Sequence, residues 1–149
     1  MVDTRITTFF SPTYTPALVS INDPNAVELR LKFSSSVSGE IIGVRFYKGA
    51  QNTGTPIDDL RSSAGALLAS ATFSNETATG WQEVDFSTPV ATIAGKAHIV
   101  ADHTNAGDFS ADPNFFPDGP LSSPSSASSG GNGVFAYGAS DLRFCNGET

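Results

Sequence analysis

The sequence predicts an all-β protein, a two-sheet antiparallel β-sandwich of jelly-roll type. Apolar and polar residues alternate with period two in several short runs, the signature of strands with one buried face. Gly, Pro, Asn and Ser punctuate those runs at turn-like intervals, which favours a sandwich over a βα architecture. A chain of 149 residues can bury one shared core between two packed sheets without metals or disulfides.

Residues 6–10 and 17–21 are the weaker strand candidates at the start of the chain. The cleanest strand follows, where Val27, Leu29, Leu31 and Phe33 alternate with Glu28, Arg30, Lys32 and Ser34. After a turn at Ser38-Gly39, residues 41–48 place Ile42, Val44 and Phe46 on one face and Gly43, Arg45 and Tyr47 on the other, and Gly49 ends the run. The only arguable helix, Asp58 to Leu68, is interrupted by Ser62, Ser63 and Gly65. Leu67, Ala69, Ala71 and Phe73 form the next apolar face, followed by Val84 and Phe86 within 81–86 and by strands at 97–103 and 133–138. The expected core is Leu29, Leu31, Phe33, Val44, Phe46, Phe73, Val84 and Phe86. One domain spans 1–149, with a long irregular loop at about 104–133 that combines an Asp- and Phe-bearing part with a Ser/Gly-rich part.

The formal charge is -7, and only 8 Lys and Arg are scattered along the chain, so a nucleic-acid partner is not expected. No apolar run approaches the roughly 18 residues a spanning helix needs, and no membrane insertion is expected. An acidic surface rich in Ser, Thr and Gly fits an extracellular or cell-surface module. The N-terminus MVDTRITTFF lacks the basic and apolar regions of a signal peptide, so a secretion signal is not expected within this chain. Cys145 is the single cysteine, which rules out an intrachain disulfide.

Catalytic chemistry finds little footing. Imidazole comes only from His98 and His103; His98 and Asp102 share strand parity, while His103 points to the opposite face. No Ser stands in a nucleophile elbow beside them, so a triad is disfavoured and no catalytic residue is expected. Asp58, Asp59, Glu83, Asp85, Asp102, Asp108, Asp112 and Asp118 could supply paired carboxylates of the glycosidase kind, but linear spacing does not pair them in space. Oxygen ligands concentrate in one region, and Asp102, Asp108, Asp112 and Asp118 are candidates for a structural calcium site, without the spacing of an EF-hand loop. The competing reading is that Asp and Asn here occupy turns. No other cofactor is expected.

Sugar binding would use aromatic faces for stacking and polar groups for the hydroxyls. The candidates are Tyr47, Trp81, Phe115, Phe116 and Tyr137, with Arg45, His103, Asp112 and Asn132 as polar partners. Trp81, which follows Gly80 at a strand entry, suits plugging the sandwich edge as well as meeting a ligand.

Several unusual segments occur in a fixed order. They are Val27-Glu28-Leu29 with Lys32-Phe33, Gly43-Val44-Arg45-Phe46-Tyr47-Lys48-Gly49, Asn52-Thr53-Gly54-Thr55, Leu67 to Phe73, and Glu76 to Gln82. Ser110-Ala111-Asp112-Pro113 and Gly131 to Gly138 complete the series. Together they resemble domain-of-unknown-function family 4082, a bacterial extracellular module, over nearly the whole chain from about Thr7 to Phe144. The resemblance implies a β-sandwich appended to large secreted or surface proteins, beside immunoglobulin-like repeats and carbohydrate-active or amidohydrolase-type domains. The implied function is a non-catalytic accessory module that binds carbohydrate, or alternatively a structural or adhesion module that spaces domains or self-associates. Members of the family continue with an aromatic-rich strand, whereas this chain stops at Arg143-Phe144-Cys145-Asn146-Gly147-Glu148-Thr149. The resemblance therefore also implies an open sheet edge at the C-terminal end. That edge could pair with another molecule, the expectation favoured here, or be shielded by Ile6 to Phe10.

Overall fold

The computed structural model describes residues 6–8, 10, 13–16, 18–21, 27–104, 109–111, 120–122 and 140–145. All its regular elements are strands: β1 Ile6–Thr7, β2 Leu18–Ile21, β3 Val27–Ser35, β4 Gly39–Lys48, β5 Ile57–Ser62, β6 Leu67–Thr72, β7 Gly80–Thr92, β8 Ala97–Thr104, β9 Phe109–Ala111, β10 Leu121–Ser122 and β11 Ser140–Cys145. One antiparallel sheet has the order β1-β11-β4-β7, the other β10-β3-β8-β5-β6, and β2 pairs with β9 in a separate ribbon. From β3 to β8 the chain crosses between the two main sheets at every connection except the β5–β6 hairpin. The all-β, two-sheet antiparallel class read from the sequence is the class observed.

The sheets enclose one core. Ile41, Val44, Phe46 and Phe86 from the four-stranded sheet meet Phe33, Leu60, Val100 and Leu121 from the five-stranded sheet, and Phe73 joins them edge-on to Phe46 at 4.8 Å between ring centroids. Of the eight expected core residues, Phe33, Val44, Phe46, Phe73 and Phe86 are buried, and Leu31 and Val84 are only half-buried. The Leu29 side chain lies outside the described part.

The apolar face expected at Ile42, Val44 and Phe46 is corrected at its first member, because Ile41 is fully buried and Ile42 is not. Ile41 stands opposite Val90 and Gly43 opposite Asp85, so residues 86–89 of β7 face the single residue 42. On the other side of β4, Arg143 stands opposite Gly43 and Phe144 opposite Ile41, so Ile42 is an extra residue within β4 itself, and positions 41 and 44 point the same way. Pro89, which cannot donate to a ladder, falls in the bulged segment. Gly43 sits against the bulge. A Cβ there would strike the Val84 carbonyl oxygen and come within 2.7 Å of Asp85 Oδ1 and 2.9 Å of its Cα.

The arguable helix from Asp58 to Leu68 is instead the β5–β6 hairpin. Ser62 N–H donates to the Ala66 carbonyl at 2.8 Å, Gly65 N–H to the Ser62 carbonyl at 2.9 Å, and Ala66 N–H to Ser62 Oγ at 3.1 Å. Gly65 takes φ +93°, a conformation open to glycine at little cost. The region expected to be irregular from about 104 to 133 contains β9 and β10, and β10 pairs Leu121 with Ser35. The strand expected at 133–138 lies outside the described residues.

Strand β11, absent from the sequence reading, lies inside the four-stranded sheet between β4 and β1. Ile6 pairs with Cys145 and Thr7 with Phe144. The N-terminal segment thus covers the end of β11, the second of the two arrangements expected for that edge.

Candidate functional site

Two groups of polar and aromatic side chains border the apolar core, and Phe10 of the first belongs to the buried apolar cluster itself. The first covers the outer face of the four-stranded sheet. With Val44 and Phe46 inward, Arg45 and Tyr47 point outward, and Tyr47 lies directly across from Trp81 on β7. The two rings meet edge to face at 5.4 Å. The Arg45 guanidinium lies 4.1 Å from the Trp81 ring centroid, within cation–π range. It also donates to Thr8 Oγ1 at 2.9 Å and to the Phe10 carbonyl. The Trp81 indole N–H donates to the Tyr14 carbonyl at 2.9 Å, and Phe10 packs on both Tyr14 and Trp81. The segment around residues 8–14 therefore straps across this face, and Arg45, though charged, is 1% exposed beneath it. In this arrangement Trp81 seals the strap, and both Tyr47 and Trp81 are half-buried.

The second group lies between the sheets at one end of the sandwich. The inner face of β8 reads His98, Val100, Asp102, all buried, while His103 is exposed on the outer face, as the strand parity predicts. On β5 the inner residues are Asp58 and Leu60. Register places Asp58 directly opposite Asp102, Leu60 opposite Val100, and Ser62 opposite His98. Two buried carboxyl groups thus stand on directly paired residues of neighbouring strands, both turned inward. Burial first, and then the neighbouring Asp102 charge, hold Asp58 well above the ordinary carboxylate range. Asp102 is pushed up to about 6 by burial, against the opposing pull of its hydrogen bond with Asp58 and of His103. Among the described residues neither Asp58 oxygen meets a hydrogen-bond donor. A bond between the two groups therefore requires that one of them carry a proton.

Other inward polar groups at the sandwich ends make definite bonds, although His98 Nδ1 has no partner among the described residues. Gln82 Nε2 donates to Thr77 Oγ1 at 2.7 Å and to the Gly80 carbonyl at 3.1 Å, and its Oε1 accepts from Thr77 N–H at 2.9 Å. His98 Nε2 and Thr92 Oγ1 are 2.8 Å apart. Burial, with the Lys96 charge, keeps His98 below its ordinary value. Lys48 closes on Glu76 at 2.6 Å.

The sequence-derived candidates do not converge where they are described. Tyr47 and Trp81 sit on the outer face of one sheet, and His103 on the outer face of the other. Asp112, Phe115, Phe116, Asn132 and Tyr137 lie outside the described residues. Of the calcium candidates only Asp102 is described. It points into the sandwich towards Asp58 rather than towards Tyr47, and Asp108, Asp112 and Asp118 lie outside the description. Among the described residues no three His, Cys, Asp or Glu side chains gather to hold a metal ion. The Asp58–Asp102 contact was not legible in the sequence because it depends on the register between strands more than 40 residues apart. Its only signal was that each Asp shares parity with a core aliphatic two positions away. A glycosidase pair is held roughly 5 to 9.5 Å apart around a substrate; these two carboxyls are both buried inside the sandwich on paired strands.

Among the described residues no helix is long and apolar enough to cross a membrane. No curated protein matches the chain. Among solved structures it is similar to the dimeric latent PorU from Porphyromonas gingivalis, with 13% identity and a TM-score of 0.33. That match covers 98% of this chain and 13% of the other. The family model described as Domain of unknown function (DUF4082) matches residues 13–147, and it agrees with the ordered segments from Val27 to Gly138 that carry the sequence resemblance. The chain belongs to the DUF4082 family.

Proposed function

We propose that this chain is a non-catalytic accessory module of an extracellular or cell-surface protein, and that it binds carbohydrate. The observation that carries the non-catalytic part is how the reactive side chains are used. His98, Asp58 and Asp102 are buried between the sheets, and Lys48 and Glu76 bond to each other. The carbohydrate part rests on the remaining candidates. With Tyr47 and Trp81 engaged by the N-terminal strap, a glycan would be met by Phe115, Phe116 and Tyr137, with Asp112, Asn132 and the exposed His103 as polar partners. A glycan array probed with the whole chain tests this. Binding that disappears in Phe115→Ala/Phe116→Ala or Tyr137→Ala, and persists in Tyr47→Ala, is the expected result. A chain that retains no glycan loses the carbohydrate assignment.

One feature favours a structural or adhesion role instead. Strand β6 is an edge of the five-stranded sheet, and Leu67 and Leu68 on it are 56% and 40% exposed. Exposed apolar residues on a sheet edge invite pairing with a second copy. Light scattering on the purified chain separates the two readings. A dimer that dissociates on Leu67→Lys or Leu68→Lys supports self-association, and a monomer at all accessible concentrations removes it.

A further inference from the structure

We propose that Asp58 and Asp102 form a binding site for a hard divalent cation of the calcium class, set between the sheets at one end of the sandwich. The site rests on register, burial and unpartnered oxygen, and it stands independently of whether the chain binds glycan.

The two aspartates are cross-strand neighbours on β5 and β8 and both point inward. Asp58 is 0% exposed, and neither of its oxygens has a hydrogen-bond donor. Asp102 Oδ1 and Asn52 Oδ1 are likewise buried and unpartnered. Asn52 belongs to the β4–β5 loop, on the N-terminal side of β5. Among the described residues, every buried side-chain oxygen without a partner belongs to these three residues. The buried Gln82 amide, by contrast, is bonded at both ends. Three of the four unpartnered oxygens belong to the cross-strand pair Asp58 and Asp102.

Buried polar groups ordinarily have partners, and an uncompensated buried carboxylate is unfavourable. The charges around the pair do not neutralise it. Asp59 and Glu76 add repulsion, Lys48 is bound to Glu76, and the attraction from His103 comes from an exposed ring on the outer face of the sheet. A single shared proton can satisfy one oxygen of each carboxyl, which leaves the other Asp58 oxygen and the Asn52 amide oxygen unpartnered. A hard cation takes several oxygens at once, from carboxylates and amides alike, and completes its shell with backbone carbonyls and water.

The test is thermal unfolding of the whole chain in chelator and in millimolar calcium. At about pH 7.5 calcium should raise the melting temperature by several degrees, because an ion bound only by the folded state stabilises it by mass action. At about pH 5 the effect should shrink, because protons compete for the same carboxylates. Asp58→Asn should fold, should melt at or above the wild type in chelator, and should lose the calcium response. If that variant fails to fold, calorimetric titration of the wild type and of Asp102→Asn replaces it, with one ion per chain expected in the first and none in the second. Two results overturn the proposal. One is a wild-type melting curve unmoved by calcium, magnesium and manganese at about pH 7.5, which would leave the pair holding a shared proton only. The other is a calcium response that survives Asp58→Asn undiminished, which would put the ion elsewhere.

Discussion

Position 43 illustrates how a single residue can be dictated by a neighbour's backbone. Its φ is not in the left-handed region, so the requirement for glycine there is one of space. The β7 bulge brings the Val84 carbonyl and Asp85 against the bare Cα. Gly43→Ala should therefore cost about 3 kcal/mol, the upper end for overpacking, because the obstacles include backbone atoms that move only if the bulge moves. Denaturant unfolding checks this, and a loss under about 0.5 kcal/mol would mean that the bulge is soft. Two positions on, Arg45 is held by the Trp81 ring of β7 and by Thr8 and Phe10 of the N-terminal strap. Lys lacks the planar fork that can stack and donate in several directions. Arg45→Lys should loosen the strap, and the single tryptophan of the chain, Trp81, is its reporter. Its emission should shift to the red and its quenching by iodide should increase while the core stays folded. An unchanged spectrum would mean that the strap is held without Arg45.

Among the strands, legibility followed how much each one reveals by itself. Strands β3 and β8 alternate cleanly, as does β4 from Gly43 onward, and their parity reads directly from the residues; β8 in particular separates His98 and Asp102 from His103. Strand β5 does not read this way. Its inward positions hold Asp58 beside Leu60, so an acidic residue stands where an apolar one would mark the face, and the segment passes for a broken helix. Ile41 departs from the alternation of β4 because Ile42 is a bulged residue, which only the pairing with β7 and β11 reveals. Strand β11 carries Leu142 and Phe144 in strand spacing, but two apolar positions in a short run are too weak a period-two signal to mark a strand without its partners β1 and β4. The candidate site was less legible than the fold, since the Asp58–Asp102 and Arg45–Trp81 contacts join distant segments. Burial now ranks the core substitutions. Leu60→Ala, at a fully buried position opposite Val100, should cost about 2 to 5 kcal/mol. Leu31→Ala, on the other side of Val100 but half-buried, should cost less, below about 2 kcal/mol. Equal losses would place Leu31 as deep in the core as Leu60.

At the scale of the whole sandwich, the inner face of β8 carries titratable groups at both ends with Val100 between them, and their effects on stability oppose each other. His98 is kept below its ordinary value of 6.5 by burial and by Lys96. As pH falls through 6.5 the unfolded chain takes up a proton that the folded one resists, so this end loses stability on acidification. The carboxyl pair behaves in the opposite way. The Asp102 carboxyl, at about 6 in the fold against an ordinary 3.8, keeps its proton over a range in which the unfolded chain has lost it. Stability from this end is present in acid and falls as pH rises from about 4 to about 6, and Asp58, also raised, extends the loss to higher pH. Asp59 and Glu76 deepen that loss and His103 offsets part of it. In chelator, therefore, the melting temperature of Asp58→Asn relative to wild type should be lowest near about pH 4 and should climb towards about pH 7. The melting temperature of His98→Gln relative to wild type should run the other way, standing higher at about pH 5 than at about pH 7.5. Melting curves across this range decide the matter. Differences that stay constant with pH in both variants would show that neither end of β8 governs the acid–base stability of the molecule.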